Sequence, residues 1–95
     1  MDAERRLGPE DGVELNPNYH FRWEEPQQAH VLLYPEGIVK LNETAAAILE
    51  ACTGAPSIQD GTDELARRYG KRNLGAEVLK FLEVAHAKGW IRIKS

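Results

Sequence analysis

HVLLYPEGIVKLNETAAAILEAC, residues 30–52, decides the fold, because two strand patterns and a helix pattern follow one another there with almost no loop. The two apolar runs predict strands, and the Pro-Glu-Gly between them is typical of a tight turn. Asn42, directly after Leu41, predicts a helix N-cap. Apolar residues then recur at helical spacing and predict one buried stripe: Ala45, Ile48, Leu49 and Cys52. The sequence thus joins a sheet edge directly to a helix.

A further strand pattern precedes this stretch. Tyr19, Phe21 and Trp23 alternate with polar residues, which predicts a strand with one buried face. WIRI, near the C-terminus, predicts a short terminal strand or extension. Because tight turns connect the first three strands, we expect them to form a three-stranded antiparallel meander.

Two more helices are predicted after residue 56. Ser57 is the expected N-cap of the first, and Gly61 inside it should cost about 1 kcal/mol relative to Ala. Its inner stripe is predicted as Ile58, Leu65 and Tyr69. The other helix is expected over residues 74–88 under an Asn73 cap. Its predicted core face is Leu74, Val78, Phe81, Leu82 and Ala85.

These elements predict an α+β fold, winged-helix-like, with a three-stranded antiparallel β-meander followed by three α-helices. Residues 1–16 are rich in charge, Gly and Pro, so we expect a flexible N-terminal tail there or an irregular lead-in strand. Such a tail would be dispensable for folding and would shield a sheet edge. Residues 17–95 are the expected folded domain.

Composition excludes several classes of protein. The 95 residues are 42% hydrophobic and 28% charged with a net charge of −3, which is ordinary for one small soluble domain and unfavourable for nucleic-acid binding. No apolar run is long enough to span a bilayer, and no signal-peptide core is present. The single cysteine rules out an internal disulfide and fits a reducing compartment. We expect a cytoplasmic protein without membrane association.

The chain offers no constellation for catalysis. The three histidines are scattered, with no carboxylate or cysteine at metal-ligand spacing. We expect His20 and His86 to be exposed and His30 to lie in the core or at its rim. Cys52 lies on an apolar helical stripe and is interpreted as a small core residue. The sequence therefore predicts no enzyme activity, no metal site and no cofactor.

Binding functions remain. The basic cluster ARRYGKR, residues 66–72, allows a winged-helix DNA-binding regulator as the alternative, although the last helix carries a balanced mixture of charges. A small subunit that stabilises another enzyme is a third possibility. Residues 37–41 predict a short edge strand, and a free edge can pair with a peptide. Recognition of a peptide beside the third helix is the preferred hypothesis.

The segments HVLLYPEGIVKLNETAAAILEACTG, ELARRYG and EVLKFLEVAHAKGWI together resemble the PqqD family over about residues 16 to 93. This family serves as peptide chaperone in pyrroloquinoline quinone (PQQ) biosynthesis and is the prototype of the RiPP recognition element. The resemblance implies a non-catalytic domain that binds the leader of the precursor peptide PqqA as an added β-strand. The domain would then present the peptide to the radical SAM enzyme PqqE.

Carried over by position, the resemblance implies a peptide site on the third strand and the third helix. The strand residues are Ile38, Val39, Lys40 and Leu41, and the helix residues are Val78, Leu79, Leu82 and His86. Leu79 and Leu82 are our candidates for a pocket that accepts an apolar leader side chain. Gly61 and Thr62 occupy positions that are usually aliphatic in the family, and Thr53 stands where Asp is common. A monomer or a strand-exchanged homodimer is expected.

Overall fold

Residues 6–94, the part of the chain that the computed structural model describes, follow the predicted order with one more strand near the N-terminus. The strands are β1 (Val13–Leu15), β2 (His20–Glu24), β3 (Ala29–Tyr34), β4 (Gly37–Lys40) and β5 (Ile91–Ile93). The helices are α1 (Glu43–Thr53), α2 (Ile58–Tyr69) and α3 (Gly75–Ala87). The α+β class predicted from the sequence is confirmed.

The predicted meander is present as the antiparallel sheet β2-β3-β4. Leu32 on the central strand is fully buried and lies opposite Val39 and Phe21, so this face of the sheet packs on the core. The buried position predicted for Trp23 is wrong, because its side chain is 46% exposed. The helix layer beside it presents the small residues Ala46 and Ala47, which leave a groove rather than a packed contact.

The N-terminal segment belongs to the fold, so a flexible tail extending to residue 16 is wrong for its described part. β1 pairs antiparallel with β5, with Val13 opposite Ile93, and Val13 is completely buried. Leu7 is also buried in the core. The alternative left open by the sequence, a lead-in strand, is what β1 forms, and local pattern could not show its pairing because the partner strand lies at the other end of the chain. Residues 1–5 of the predicted tail lie outside the described residues.

The predicted cap and stripe of α1 are confirmed. Asn42 Oδ1 accepts a hydrogen bond from the Ala45 amide at 2.7 Å, which satisfies a free N–H of the first turn. The stripe residues are all buried in one core cluster: Ala45, Ile48, Leu49 and Cys52. The helix therefore covers the sheet through its apolar face.

Gly61 marks the closest approach of α2 to α1. A Cβ at this position would lie 2.7 Å from Cys52 Sγ and 2.8 Å from Cys52 Cα. Thr62 beside it is buried, and its hydroxyl donates to the Ile58 carbonyl at 2.8 Å. Of the two departures from the family pattern, Gly61 thus permits a tight contact between the helices, and Thr62 is satisfied by a bond within α2. The Ser57 cap predicted for α2 is also confirmed, because Ser57 Oγ accepts from the Asp60 amide.

Three local predictions about α2 and α3 are wrong. Tyr69, predicted to be internal, is 55% exposed at the last turn of α2. Asn73 does not cap α3, because it adopts a left-handed φ of 62° in the connection and the helix begins two residues later. His86, expected on the surface, is buried. Val78, Leu82 and Ala85 form the buried face of α3 as predicted.

Replacing Gly61 with Ala tests the contact between α1 and α2. Ala favours a helix by about 1 kcal/mol over Gly, but the new methyl group overpacks the contact, which typically costs about 1–3 kcal/mol. We expect Gly61→Ala to lower the free energy of unfolding measured in urea. Gly75→Ala is the control, because its methyl would meet no described residue within 4 Å. Equal stability of Gly61→Ala and the wild type would contradict the tight contact.

Val13→Ala tests whether β1 contributes to the core. Removing two buried methyl groups should lower the free energy of unfolding by about 1–3 kcal/mol. Val84→Ala is the matched control, because Val84 is 46% exposed on α3 and surface substitutions usually change stability by less than about 0.5 kcal/mol. If both variants unfold at the same urea concentration as the wild type, β1 does not pack as described.

Candidate functional site

Strand β4 lies at one edge of the three-stranded sheet, and its register shows which backbone groups face outward. The Leu41 amide donates to the His30 carbonyl at 2.9 Å, so position 41 is bonded to β3. In an antiparallel pair, bonded and non-bonded positions alternate. Val39 therefore bonds to β3, whereas the N–H and C=O groups of Ile38 and Lys40 point away from it.

Within residues 6–94, no strand pairs with the outer side of β4. The N-terminal strand β1 pairs with β5 instead, so it does not shield this edge as the sequence allowed. The side chains of Ile38 and Lys40 are exposed, while Val39 is half-buried against the core. The edge therefore offers main-chain donors and acceptors to another strand.

The predicted site residues of β4 and α3 lie in or against one core cluster, but they differ in how deeply they are buried. Leu41, Val78 and Leu82 are buried inside this cluster. The partly buried side chains of Val39 and Leu79 pack at its margin. His86 is 6% exposed, near the C-terminal end of α3. Leu82 is completely buried, so its side chain does not line an open pocket with Leu79 as the sequence predicted.

His30 and Cys52, whose side chains could in principle act in catalysis, are packed against other residues of the domain. His30 stacks on Phe21 with ring centroids 5.1 Å apart and meets the edge of Trp23 at 5.2 Å, as a rim histidine does. Burial raises the pKa of the Cys52 thiol from 9.0 to about 11. Among residues 6–94, no three His, Cys, Asp or Glu side chains are grouped to hold a metal ion.

The basic segment 66–72 is partly neutralised by neighbouring carboxylates. Arg67 lies 3.3 Å from Glu64, and Arg68 bridges Glu50 at 3.3 Å and Glu64 at 3.4 Å. The neighbouring carboxylates lower the net positive charge that this segment offers to phosphate groups. This arrangement gives no support to a DNA-reading surface.

Sequence reasoning missed a cavity at the end of the helix layer. A cavity of about 220 Å³ opens between the N-terminus of α1, the C-terminus of α2 and the N-terminus of α3. Tyr69 forms part of the wall of this cavity. The helical spacing of Tyr69 from Leu65 had predicted that Tyr69 lies in the core. The sequence gives no sign of this cavity, because its wall at Tyr69 forms only where the ends of the three helices meet in the fold.

The fold and the site define an α+β domain with an open edge strand beside a three-helix layer. Residues 29–91 match the model of the family described as Coenzyme PQQ synthesis protein D (PqqD). The chain belongs to the PqqD family, as its sequence motifs predicted.

Named relatives agree with this assignment. A relative from Methylococcus capsulatus, named PqqA binding protein, is 46% identical over 86 residues, covering 90% of this chain and 92% of the relative. A relative of the same name from Azotobacter vinelandii is 44% identical, covering 87% and 91%. The solution NMR structure of the PqqD truncation of Methylobacterium extorquens PqqCD, described as a stand-alone RiPP recognition element, has a TM-score of 0.76. The match covers 96% of this chain and 98% of that one at 24% identity, and it shows the shared fold.

The surroundings of Cys52 predict an inert thiol in the native protein. Because burial raises the pKa to about 11, almost no thiolate is present at pH 8. We expect a disulfide reagent to label native protein at pH 8 at least 100-fold more slowly than protein unfolded in urea. Comparable labelling rates in the two states would show that the α1–α2 contact opens readily.

Proposed function

We propose that this chain is a non-catalytic peptide chaperone in PQQ biosynthesis that binds the leader of the precursor peptide PqqA as an added strand on β4. The observation that carries the proposal is the edge of β4, which no strand of residues 6–94 covers and where the N–H and C=O groups of Ile38 and Lys40 face outward. An added strand uses such main-chain groups for affinity and neighbouring apolar side chains for selectivity. The relatives named PqqA binding protein support the choice of peptide.

The energetics indicate what the edge can contribute. Ile38 and Lys40 offer four main-chain groups, and a hydrogen bond contributes a net stabilisation of about 1 kcal/mol. Four such bonds give about 4 kcal/mol, whereas a dissociation constant of about 1 μM requires about 8 kcal/mol. Apolar side-chain contacts must therefore supply at least half of the affinity of a micromolar complex. Val39 and Leu79, partly buried at the margin of the core, are the candidates for these contacts among the predicted site residues.

The remaining parts of the proposal concern partners and location. The peptide-bound domain presents PqqA to the radical SAM enzyme PqqE, as the family resemblance implies. It acts in the cytoplasm, which the single cysteine supports. The domain acts as a monomer, and two copies form a strand-exchanged homodimer at high concentration. The β1–β5 pair supports this exchange, because a second copy can supply either strand with the same contacts.

Proline substitutions test the register of the added strand. Lys40→Pro removes an outward N–H that is not used by β3, so we expect the domain to remain folded and to bind PqqA at least 10-fold more weakly. Val39→Pro removes an N–H of the β3–β4 ladder, so its main effect should be a lower free energy of unfolding. Lys40→Ala keeps the backbone donor and should bind within about 3-fold of the wild type.

Isothermal titration with PqqA measures binding, and amide spectra of each variant report folding. Wild-type affinity in a folded Lys40→Pro variant would contradict an added strand on β4. Titration with duplex DNA tests the alternative function. Chemical-shift changes on residues 66–72 that weaken steeply with salt would favour a DNA-binding regulator.

A further inference from the structure

The cavity at the N-terminal end of α3 is apolar inside and charged at its rim. Its volume is about 220 Å³. Its apolar walls are Ala47 and Ile48 of α1, Leu65 of α2, Leu74, which precedes α3, and Val78 of α3. Glu43, Lys71 and Glu77 form the charged part of the lining. A pocket of this kind suits an uncharged apolar group whose attached chain remains in water.

The size of the cavity sets the class of ligand. An apolar protein cavity of about 150 Å³ can bind benzene. A cavity of 220 Å³ can therefore admit one phenyl, isobutyl or similar side chain. It is too small for a second secondary-structure element. The exposed Tyr69 ring lines it beside Leu65 and can cover an inserted side chain.

The cavity lies close to the open end of β4 along the chain. Glu43, in its lining, follows Lys40 by three residues, so their Cα atoms are at most about 11 Å apart. An extended peptide rises about 3.3 Å per residue. A strand paired beside Lys40 can therefore reach the cavity within three to five further residues.

We propose that this cavity anchors an apolar side chain of the same peptide that pairs with β4, three to five residues beyond the position opposite Lys40. The inference rests on the proposed function, and it supplies the apolar contact that the main-chain bonds alone do not provide. The occupant is a leucine-like or phenylalanine-like side chain. The pocket thus makes the domain selective for an extended segment followed, at fixed spacing, by one apolar anchor.

The test fills the cavity without altering β4. Ala47 is half-buried in its wall, so Ala47→Leu should occupy part of the space and weaken PqqA binding about 10-fold. Ala87→Leu makes the same change at an exposed position of α3 outside the cavity lining and should bind within 2-fold of the wild type. A set of PqqA peptides, each with one apolar residue changed to Ala, identifies the anchor. The anchor-less peptide should bind Ala47→Leu and wild type almost equally.

A second measurement does not depend on any variant. Methyl resonances of Ile48, Leu65 and Leu74 in the wild-type domain should shift when PqqA saturates it. Unmoved methyl resonances, or wild-type affinity of a folded Ala47→Leu variant, would overturn the anchor pocket. If Lys40→Pro still weakens binding at least 10-fold in that case, the proposed function stands without the pocket. Failure of the wild-type domain to bind PqqA at all would instead reject the proposed function.

Discussion

The direct junction between β4 and α1 is the constraint on which the rest of the structure depends. Leu41 ends the β3–β4 ladder through its amide and is also buried in the core, while Asn42 caps the helix that starts at the next residue. No loop separates the two elements, so α1 is fixed on one face of the sheet. The outer side of β4 remains unpaired in the described part of the chain. A single short segment therefore both anchors the core and leaves one edge available.

This arrangement separates stability from recognition. Core contacts come from side chains on one face of β4 and from the buried stripes of α1 and α3, whereas the proposed binding groups are main-chain atoms at the sheet edge. A peptide can pair there without disturbing the core, because the outward groups of Ile38 and Lys40 serve no internal bond of the sheet.

Local sequence patterns were sufficient for the elements that depend on neighbours in the chain. The meander, the Asn42 and Ser57 caps and the stripe of α1 all follow from spacings of a few residues. Features that depend on distant partners were missed. Residues 13–15 were left open between a tail and a lead-in strand because their partner β5 lies near residue 91. Tyr69 was placed inside because helical spacing cannot show where a neighbouring helix ends.

The candidate site was predictable as a strand and a helix, but not in its details. The register that turns Ile38 and Lys40 outward depends on the pairing with β3, and periodicity does not distinguish the centre of a buried stripe, such as Leu82, from its margin at Leu79. Amide hydrogen exchange along β4, with and without PqqA, tests the central claim most directly. Ile38 and Lys40 should exchange rapidly in the free domain and become protected in the complex, while Val39 is protected in both. Unchanged exchange at Ile38 and Lys40 in a saturated complex would contradict the account.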